Sequence, residues 1–205
     1  MPLRSILAGV GGYLSERVVT NDDLARTVDT SDEWIRERTG IRQRHFAGPH
    51  ETAAFMGAAA AREALAHARA EPAEVDAVIL ATSTPDQAFP STAIRVMTAL
   101  GVPNGFGFDL SAACAGFIYA LSVADGMIRA GQVRGVLVIG SEVYSRILNW
   151  RDRGTCVLFG DGAGAVFLRA GEGSGADQGI LSTHLHAQGS LGDFLFVDGC
   201  VVMGL

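Results

Sequence analysis

Short apolar runs alternate along this chain with segments whose apolar residues recur at helical spacing, and this alternation limits the fold more than any other feature. Strands are predicted at residues 5–10, 75–81, 106–110, 136–140, 163–169, 180–187 and 194–197. Helices are predicted at residues 30–40, 52–69, 90–100 and 114–130. Such alternation is typical of the α/β class, with a largely parallel central sheet and helices on both of its faces.

Residues at the ends of these segments support the helix predictions. The Thr30 hydroxyl and the Glu33 carboxylate are spaced as a capping box, and Gly40 marks the end of that short helix. Residues 114–130 are apolar nearly all round the helix, which predicts that this helix is buried. The glycine-rich residues 171–179 resemble a linker, and we take them to divide residues 1–172 from residues 173–205.

The composition excludes several classes of protein. With 48% hydrophobic and 19% charged residues, the chain is too apolar for a disordered protein. A net charge of −6, with 16 Lys and Arg, argues against nucleic-acid binding. No apolar run reaches the ~18 residues that a membrane span requires, so no membrane partner is expected.

The N-terminus and the cysteines favour a reduced, cytoplasmic location. The first residues could pass for a short signal sequence, but they lack a small-x-small cleavage site and glycines interrupt the apolar run, which favours a buried strand. The cysteines at positions 114, 156 and 200 are too scattered for a disulfide framework, and their spacing matches no zinc site. A cytosolic setting is the default for such a chain.

Cys114 is the strongest candidate for a reactive side chain. Residues 108–117 run from a strand through a turn of very small residues into the buried helix, so Cys114 lies at or near a helix N-terminus. Free N–H groups and the positive end of the helix dipole favour a thiolate there. The small neighbours leave room for a thioester, and the Cys114 N–H could donate to an oxyanion. The alternative is a buried structural cysteine that packs as a small hydrophobe.

Seven motifs, in one order along the chain, carry a resemblance to a known family. They are DTSDEWI (29–35), RTGIR (38–42), AFPS (88–91), AACAGF (112–117), DRGT (152–155), FGDGAGA (159–165) and STHLHA (182–187). Together they resemble β-ketoacyl-acyl-carrier-protein synthase III, a family of condensing enzymes. The resemblance implies the thiolase-like layered fold (α-β-α-β-α), of which this chain would supply the first half and the opening strands of the second.

The resemblance assigns a role to each matching residue. Cys114 takes the place of the nucleophile that accepts the acyl group. Trp34 and Arg153 match the pair that holds the adenine of coenzyme A between them, which suits an indole face and a guanidinium plane. Thr30 matches a polar contact to the same adenine, and Arg38 a cationic contact near the coenzyme A phosphates.

Three further residues match the acyl pocket of the family. Phe89 corresponds to a residue that one subunit lends to its partner's pocket, and Phe159 and Leu195 would line the acyl tunnel. Taken alone, each site residue has an ordinary structural alternative. Trp34 could anchor its helix, the arginines could be solvated surface charges, and Phe89 before Pro90 could be a hydrophobic staple.

The reaction implied by the resemblance is a decarboxylative condensation. An acyl-CoA acylates the cysteine, and malonyl-acyl-carrier protein then loses CO2 to give a carbanion that attacks the thioester. The expected partners are these two substrates and a second copy of the chain. No cofactor is expected, since acyl-CoA is a substrate, and no metal. An enzyme that primes polyketide or alkylquinolone synthesis, and an inactive fragment serving as a binding module, are the alternatives.

The family's decarboxylation step needs a His and an Asn from the C-terminal half, which this chain does not include. The apolar, uncapped tail after Asp198 suggests a truncated product or a segment of a longer protein. His184 and His186 would share one face of a strand, but they match a structural strand of the family and have no evident third ligand. His45, His50 and His67 are expected to be solvated.

Glycines at positions 160, 162 and 164 superficially suggest a phosphate-binding loop. They precede a predicted strand rather than a helix, and the full dinucleotide-binding pattern is not present. We expect instead that these glycines allow tight backbone packing beside the active site.

Overall fold

The strands of this chain form one large sheet and one small sheet. The computed structural model describes residues 3–172 and 178–197. The large sheet contains β1 (Leu3–Leu14), β4 (Ala77–Ala81), β5 (Phe106–Leu110), β6 (Gly135–Val143) and β7 (Asp161–Glu172), in the spatial order β1-β7-β6-β4-β5. In the small sheet, β2 (Arg17–Thr20) pairs antiparallel with β3 (Gln43–Phe46).

Half of the strand pairings in the large sheet are antiparallel. β4 runs parallel to β5 and β6, but β7 runs antiparallel to both β6 and β1. The prediction of a largely parallel sheet is therefore wrong for the pairings that β7 makes with β1 and β6. A continuous apolar run shows that both faces of a strand are buried, but it carries no information about the direction of the strand.

Helices cover both faces of the large sheet, as the sequence predicts. The helices are α1 (Asn21–Ala25), α2 (Asp32–Thr39), α3 (Ala53–Ala68), α4 (Thr92–Leu100), α5 (Gly116–Arg129) and α6 (Arg153–Cys156). α3 and α4 pack on one face and α5 packs on the other. Among the residues described, no helix has both the length and the apolar character that crossing a membrane demands.

Two large apolar cores lie on the two faces of the sheet, and a third lies outside it. A small fourth cluster contains Ala53, Met56 and Val143. All five residues of β4 are buried, because this strand is central and covered from both sides. The third core joins side chains from the small sheet, from α1 and α2, and from the segment around α6: Val19, Leu24, Val28, Ile35, Phe46, Cys156 and Val157. We call this third core and the elements around it the small lobe.

Helix ends agree with the sequence signals, with two corrections. Gly40 and Gly101 both adopt left-handed conformations that end their helices. The N-cap of α2 is Ser31, whose hydroxyl accepts from the Trp34 N–H, and not Thr30. The helix predicted from residue 114 begins at Gly116, because a separate 3-10 turn precedes it.

The C-terminal predictions fail in the described part of the chain. Residues 180–187 are not a strand, and residues 189–194 form a 3-10 helix followed by irregular backbone. A strand needs a neighbour to pair with its backbone groups along its length. The Ile180 N–H donates to the Ser5 carbonyl of β1 at 3.0 Å, but no described strand forms a ladder with this segment. Gly171 belongs to β7 rather than to a linker. Residues 173–177 and 198–205, including Cys200, lie outside the described residues, so the proposed division after residue 172 stays a prediction.

β1 and α3 approach each other closely, and this contact yields a stability prediction. A Cβ added at Gly11 would lie 2.2 Å from the Ala60 carbonyl oxygen, whereas one added at Gly12 would lie 3.8 Å from its nearest neighbour. We expect Gly11→Ala to lower the free energy of unfolding by about 1–3 kcal/mol, because backbone must move to admit the methyl group. Gly12→Ala, on the same strand, is the control and should change it by less than about 0.5 kcal/mol. Urea unfolding curves measure both, and equal losses in the two variants would contradict the account.

Candidate active site

Cys114 lies in a sharp elbow between a strand and a helix. β5 ends at Leu110, a 3-10 turn covers Ala113–Ala115, and α5 begins at Gly116. Ala113 has a φ of 43°, in the left-handed region that residues with a side chain rarely adopt. The thiol of Cys114 is exposed, so the alternative of a buried structural cysteine is wrong. The predicted elbow is confirmed, although Cys114 lies in the turn before α5 rather than in its first turn.

Contacts from three elements hold this elbow in place. The Asp109 carboxylate accepts from the Thr92 and Ala93 N–H groups at 2.7 and 2.8 Å, so β5 caps the N-terminus of α4. The Thr82 N–H donates to the Leu110 carbonyl at 3.2 Å and joins the segment after β4 to the end of β5. A Cβ at Gly116 would lie 3.1 Å from the Ala81 Cβ, which shows how closely the start of α5 packs on β4.

A partly buried carboxylate, Glu142, lies where β6 ends. It accepts hydrogen bonds from the Ser83 N–H at 2.8 Å and from the Thr82 and Thr84 hydroxyls at 3.2 and 2.5 Å. Burial raises the pKa of Glu142 above its ordinary value, although these hydrogen bonds act in the opposite direction. Glu142 therefore fixes the loop of residues 82–84, which lies beside the elbow.

Tyr144 lies close to both Glu142 and Cys114. Burial raises the pKa of Tyr144, a hydrogen bond with Ser83 opposes the shift, and electrostatic interactions with Glu142 and Cys114 raise the pKa further. The Tyr144 ring stacks on Phe159 with ring centroids 4.9 Å apart. Sequence reasoning missed both Glu142 and Tyr144. The available signal was a carboxylate at the end of an apolar strand, where the ends of parallel strands meet.

The predicted acyl-pocket residues lie in different surroundings. Phe159 is half-buried beneath Tyr144. Phe89 is 84% exposed and Leu195 57% exposed, so neither is enclosed within the described residues. The assignment of these three residues to an acyl pocket stays a prediction.

Three of the predicted coenzyme A residues meet on the small lobe. Trp34 and Arg38 are four residues apart on α2 and so share one face. The Arg38 guanidinium lies 4.5 Å from the centroid of the Trp34 ring, and that of Arg153, from α6, lies 5.0 Å from it. The hydroxyl oxygen of Thr30 is buried and has no hydrogen-bond partner within the described part of the chain. An indole ring with two guanidinium groups against it can stack a planar base and attract phosphate.

The histidine predictions need correction. His45 lies in β3, is half-buried, and its ring nitrogen bonds to the Ser15 carbonyl oxygen, so it is not solvated. His184 and His186 are exposed and lie on irregular backbone rather than on a strand. Within residues 3–172 and 178–197, no group of three or more His, Cys, Asp or Glu side chains could hold a metal ion.

The glycines at 160, 162 and 164 do not all have the expected role. A Cβ at Gly160 would lie 3.0 Å from the Arg44 Cβ, and one at Gly162 would lie 3.1 Å from the Tyr13 carbonyl oxygen. These two positions allow close backbone packing, as predicted. Gly164 has open space beside it, so tight packing does not explain it.

Comparisons with known proteins agree with the resemblance seen in the sequence. A family model for 3-oxoacyl-[acyl-carrier-protein (ACP)] synthase III matches residues 108–189. The chain is 68% identical over 196 residues to the β-ketoacyl-[acyl-carrier-protein] synthase III of Acidiphilium cryptum, covering 96% of this chain and 61% of that protein. It is 62% identical to the enzyme of Granulibacter bethesdensis, with the same coverage. The chain thus spans about three fifths of the length of these curated relatives.

Solved structures show the same fold. The crystal structure of 3-oxoacyl-[acyl-carrier-protein] synthase III from Aquifex aeolicus matches with a TM-score of 0.86 and 50% identity, over 91% of this chain and 59% of that one. The priming β-ketosynthase of the R1128 polyketide pathway matches with a TM-score of 0.80 and 43% identity, over 83% of this chain and 52% of that one. The resemblance to the synthase III family and the thiolase-like α/β fold are confirmed.

The exposure of the two described cysteines predicts their reactivity. Cys114 is exposed, whereas Cys156 is fully buried and burial raises the pKa of its thiol. We expect iodoacetamide to label Cys114 in the folded chain and to label Cys156 only after denaturation. Peptide mapping by mass spectrometry locates the label, with Cys114→Ala as the control. Equal labelling of the two residues in the folded chain would contradict the structure.

Glu142 predicts a change of stability with pH. Because the folded state raises its pKa, the stabilisation from this group is fully present below the ordinary value of 4.5 and is lost as the pH rises through the raised pKa. The unfolding free energy of the wild type minus that of Glu142→Gln should therefore fall as the pH rises from about 4.5.

Glu74→Gln provides a control in which the difference in unfolding free energy should change with pH in the opposite direction. A hydrogen bond from the Glu71 N–H lowers the pKa of Glu74, so the stabilisation from Glu74 is lost as the pH falls through its lowered pKa. The corresponding difference for Glu74→Gln should therefore rise with pH. Urea unfolding at a series of pH values measures both differences, and a flat difference for Glu142→Gln would show that its burial has no effect on its proton affinity.

Proposed function

We propose that this chain, as a relative of the β-ketoacyl-acyl-carrier-protein synthase III family, accepts an acyl group from acyl-coenzyme A on Cys114. This transfer is the first half of the condensation that initiates fatty-acid synthesis. The observation that carries the proposal is the exposed thiol of Cys114 in the elbow between β5 and α5. A thiol in this position is open to a thioester and lies beside the backbone N–H groups that begin a helix.

The acyl transfer requires one bond to form and one to break. The Cys114 sulfur attacks the carbonyl carbon of the acyl thioester, and the oxygen takes the negative charge of the tetrahedral intermediate. Backbone N–H groups at the elbow are the donors available to that oxygen. The intermediate collapses with loss of the coenzyme A thiolate, which takes up the proton released by Cys114. The product is an acyl-cysteine thioester.

The cluster of Trp34, Arg38 and Arg153 would bind the nucleotide end of coenzyme A. Arg153 lies on the Trp34 ring, so it must withdraw to let an adenine stack between them. That movement is inexpensive, because Arg153 pairs with the fully exposed Asp29 and exposed ion pairs contribute little. Thr30 precedes Trp34 by four residues, and its hydroxyl, which has no partner among the described residues, would have to turn outward to contact the adenine. Arg38 offers a charge for the phosphates.

The second half of the reaction uses malonyl-acyl-carrier protein. Loss of CO2 gives a carbanion that attacks the acyl-cysteine and leaves a β-ketoacyl-acyl-carrier protein. The family resemblance assigns this step to a His and an Asn, and no residue in the matching motifs of this chain takes their place. We therefore place only the acylation on the residues described here. No cofactor enters the proposed reaction, and a cytoplasmic location suits it.

We also propose that two copies of the chain pair through β5. This strand is at one edge of the large sheet, and its backbone groups on that side have no strand partner in the described residues. Phe106 on this edge is 42% exposed and Phe89 on the nearby loop is 84% exposed. Pairing of two β5 edges would cover both the backbone groups and the aromatic rings.

A priming enzyme of polyketide synthesis is the second candidate function. It is favoured by the 43% identity to the R1128 priming β-ketosynthase. Both functions use the same elbow and differ in the acyl group accepted. Acylation rates with a panel of acyl-CoA donors distinguish them: a preference for acetyl-CoA supports fatty-acid initiation, and a preference for longer or branched donors supports the polyketide function.

Incubation with acetyl-CoA tests the proposed acylation. We expect an acetyl adduct on Cys114, detected by intact mass and located by peptide mapping, and no adduct in Cys114→Ser. Trp34→Ala should lower the rate at sub-saturating acetyl-CoA by about tenfold, because a stacked base contributes about 1–3 kcal/mol. Absence of an adduct, under conditions in which a complete relative is acetylated, would refute the proposed half-reaction.

A further inference from the structure

Arg44 is a buried cation at the centre of the small lobe. It lies on β3, only 6% of it is exposed, and it bonds to the carbonyls of Val19 and Val157, two residues of the third core. Burial lowers the pKa of its guanidinium. No carboxylate among the described residues forms an ion pair with Arg44, unlike the surface arginines that pair with Asp or Glu.

Burying a guanidinium without a carboxylate partner lowers the free energy of unfolding. Removing a charged group from water costs several kcal/mol, and an apolar side chain of similar size often packs with less penalty. Arg44 contributes neither catalysis nor substrate contact in the proposed function. What it does supply is a rigid, planar fork that can bond to several groups at once.

The bonds of Arg44 join two parts of the chain that are far apart in sequence. One terminal nitrogen, Nη1, donates to the Asn21 side-chain oxygen at 2.8 Å and to the Val19 carbonyl at 3.4 Å. The other, Nη2, donates to the Val157 carbonyl at 3.1 Å. Val157 follows directly after α6, the helix that carries Arg153.

Asn21 extends the connection to α2. Its side-chain nitrogen donates to the Asp32 carboxylate and to the Ile41 carbonyl, each at 2.8 Å. Asp32 is the first residue of α2, and Ile41 lies just beyond the end of that helix. The Asn21 side chain thus bonds next to both ends of the helix that carries Trp34, and Arg44 holds Asn21.

We propose that Arg44 is a positioning residue that fixes the separation of α2 and α6, and with it the separation of the Trp34 ring from the Arg153 guanidinium. The consequence for coenzyme A binding rests on the proposed function, whereas the consequence for the geometry of the ligand-free chain does not. A methyl group added at Gly160 would lie 3.0 Å from the Arg44 Cβ, so the backbone next to Phe159 also packs closely against Arg44.

Fluorescence of Trp34 tests the geometric part in the ligand-free chain. Trp150→Phe leaves Trp34 as the only tryptophan, since the chain has two. In this background, Arg44→Lys keeps a buried positive charge but loses the fork, and Arg44→Met removes the charge. We expect both to raise the acrylamide quenching constant of Trp34 about twofold, because Arg153 no longer covers the ring. Arg153→Ala should give the full increase in the quenching constant. Arg62→Met, which removes an exposed α3 arginine bonded to the Ala99 carbonyl of α4, is the matched control.

Two further readouts separate positioning from general damage. Coenzyme A affinity, measured by calorimetry, should fall about tenfold in Arg44→Lys, while the rate of Cys114 labelling by iodoacetamide stays within about twofold of the wild type. The melting temperature of each variant shows whether it is folded, and Arg44→Lys provides the test if Arg44→Met does not fold.

The outcomes of this experiment are distinct. Unchanged quenching of Trp34 in folded Arg44→Lys overturns the positioning role, whatever the affinity for coenzyme A. If Arg44→Lys raises the quenching constant of Trp34 but binds coenzyme A as tightly as the wild type, Arg44 positions the two helices. Its proposed effect on coenzyme A binding is then overturned. A wild type that does not bind coenzyme A refutes the proposed function, while the quenching result still decides whether Arg44 positions the two helices.

Discussion

The parallel pairing of β4 with β5 and β6 is the constraint on which the proposed active site depends. Parallel strands bring their carboxyl ends to the same edge of a sheet, so the loop after β4, the elbow after β5 and Glu142 at the end of β6 converge there. The left-handed Ala113 costs about 1–3 kcal/mol, and such strain persists only where its surroundings hold it. The bonds of Asp109 to the N-terminus of α4 and the packing of Gly116 against β4 provide that support, and the result is an exposed Cys114.

The proposed coenzyme A site has two ends that depend on different cores. The sulfur end belongs to the large sheet and its two apolar faces, whereas the nucleotide end belongs to the small lobe with its own core. The lobe carries Trp34 and Arg153 on separate helices, and Arg44 links the backbone beside each. This division explains why a buried cation is retained in a place where an apolar residue would pack with less cost.

The sequence predicts local structure well and long-range arrangement poorly. β5 and α4 match their predictions closely, because Gly101 and the alternation of apolar runs are signals carried by neighbouring residues. The direction of β7 and the coil at residues 180–187 depend on which strands are adjacent, and that information is not local. β2, β3 and α1 are short and polar, so they give no periodic signal.

The candidate site shows the same contrast. Cys114 stands out because small residues and a buried helix follow a strand, and Trp34, Arg38 and Arg153 stand out through motif resemblance. Glu142 and Arg44 were not predicted, because their roles arise from partners 58 and 113 residues away in sequence. No spacing rule reveals such partners, and only the fold brings them into contact.

A crystal structure of the chain with coenzyme A tests most directly whether one molecule spans both ends of this site. We predict that the adenine stacks between the Trp34 ring and the displaced Arg153 guanidinium, with the coenzyme A sulfur directed at the Cys114 sulfur. An adenine bound away from Trp34, or a coenzyme A sulfur that points away from the elbow while the adenine is stacked, would contradict it.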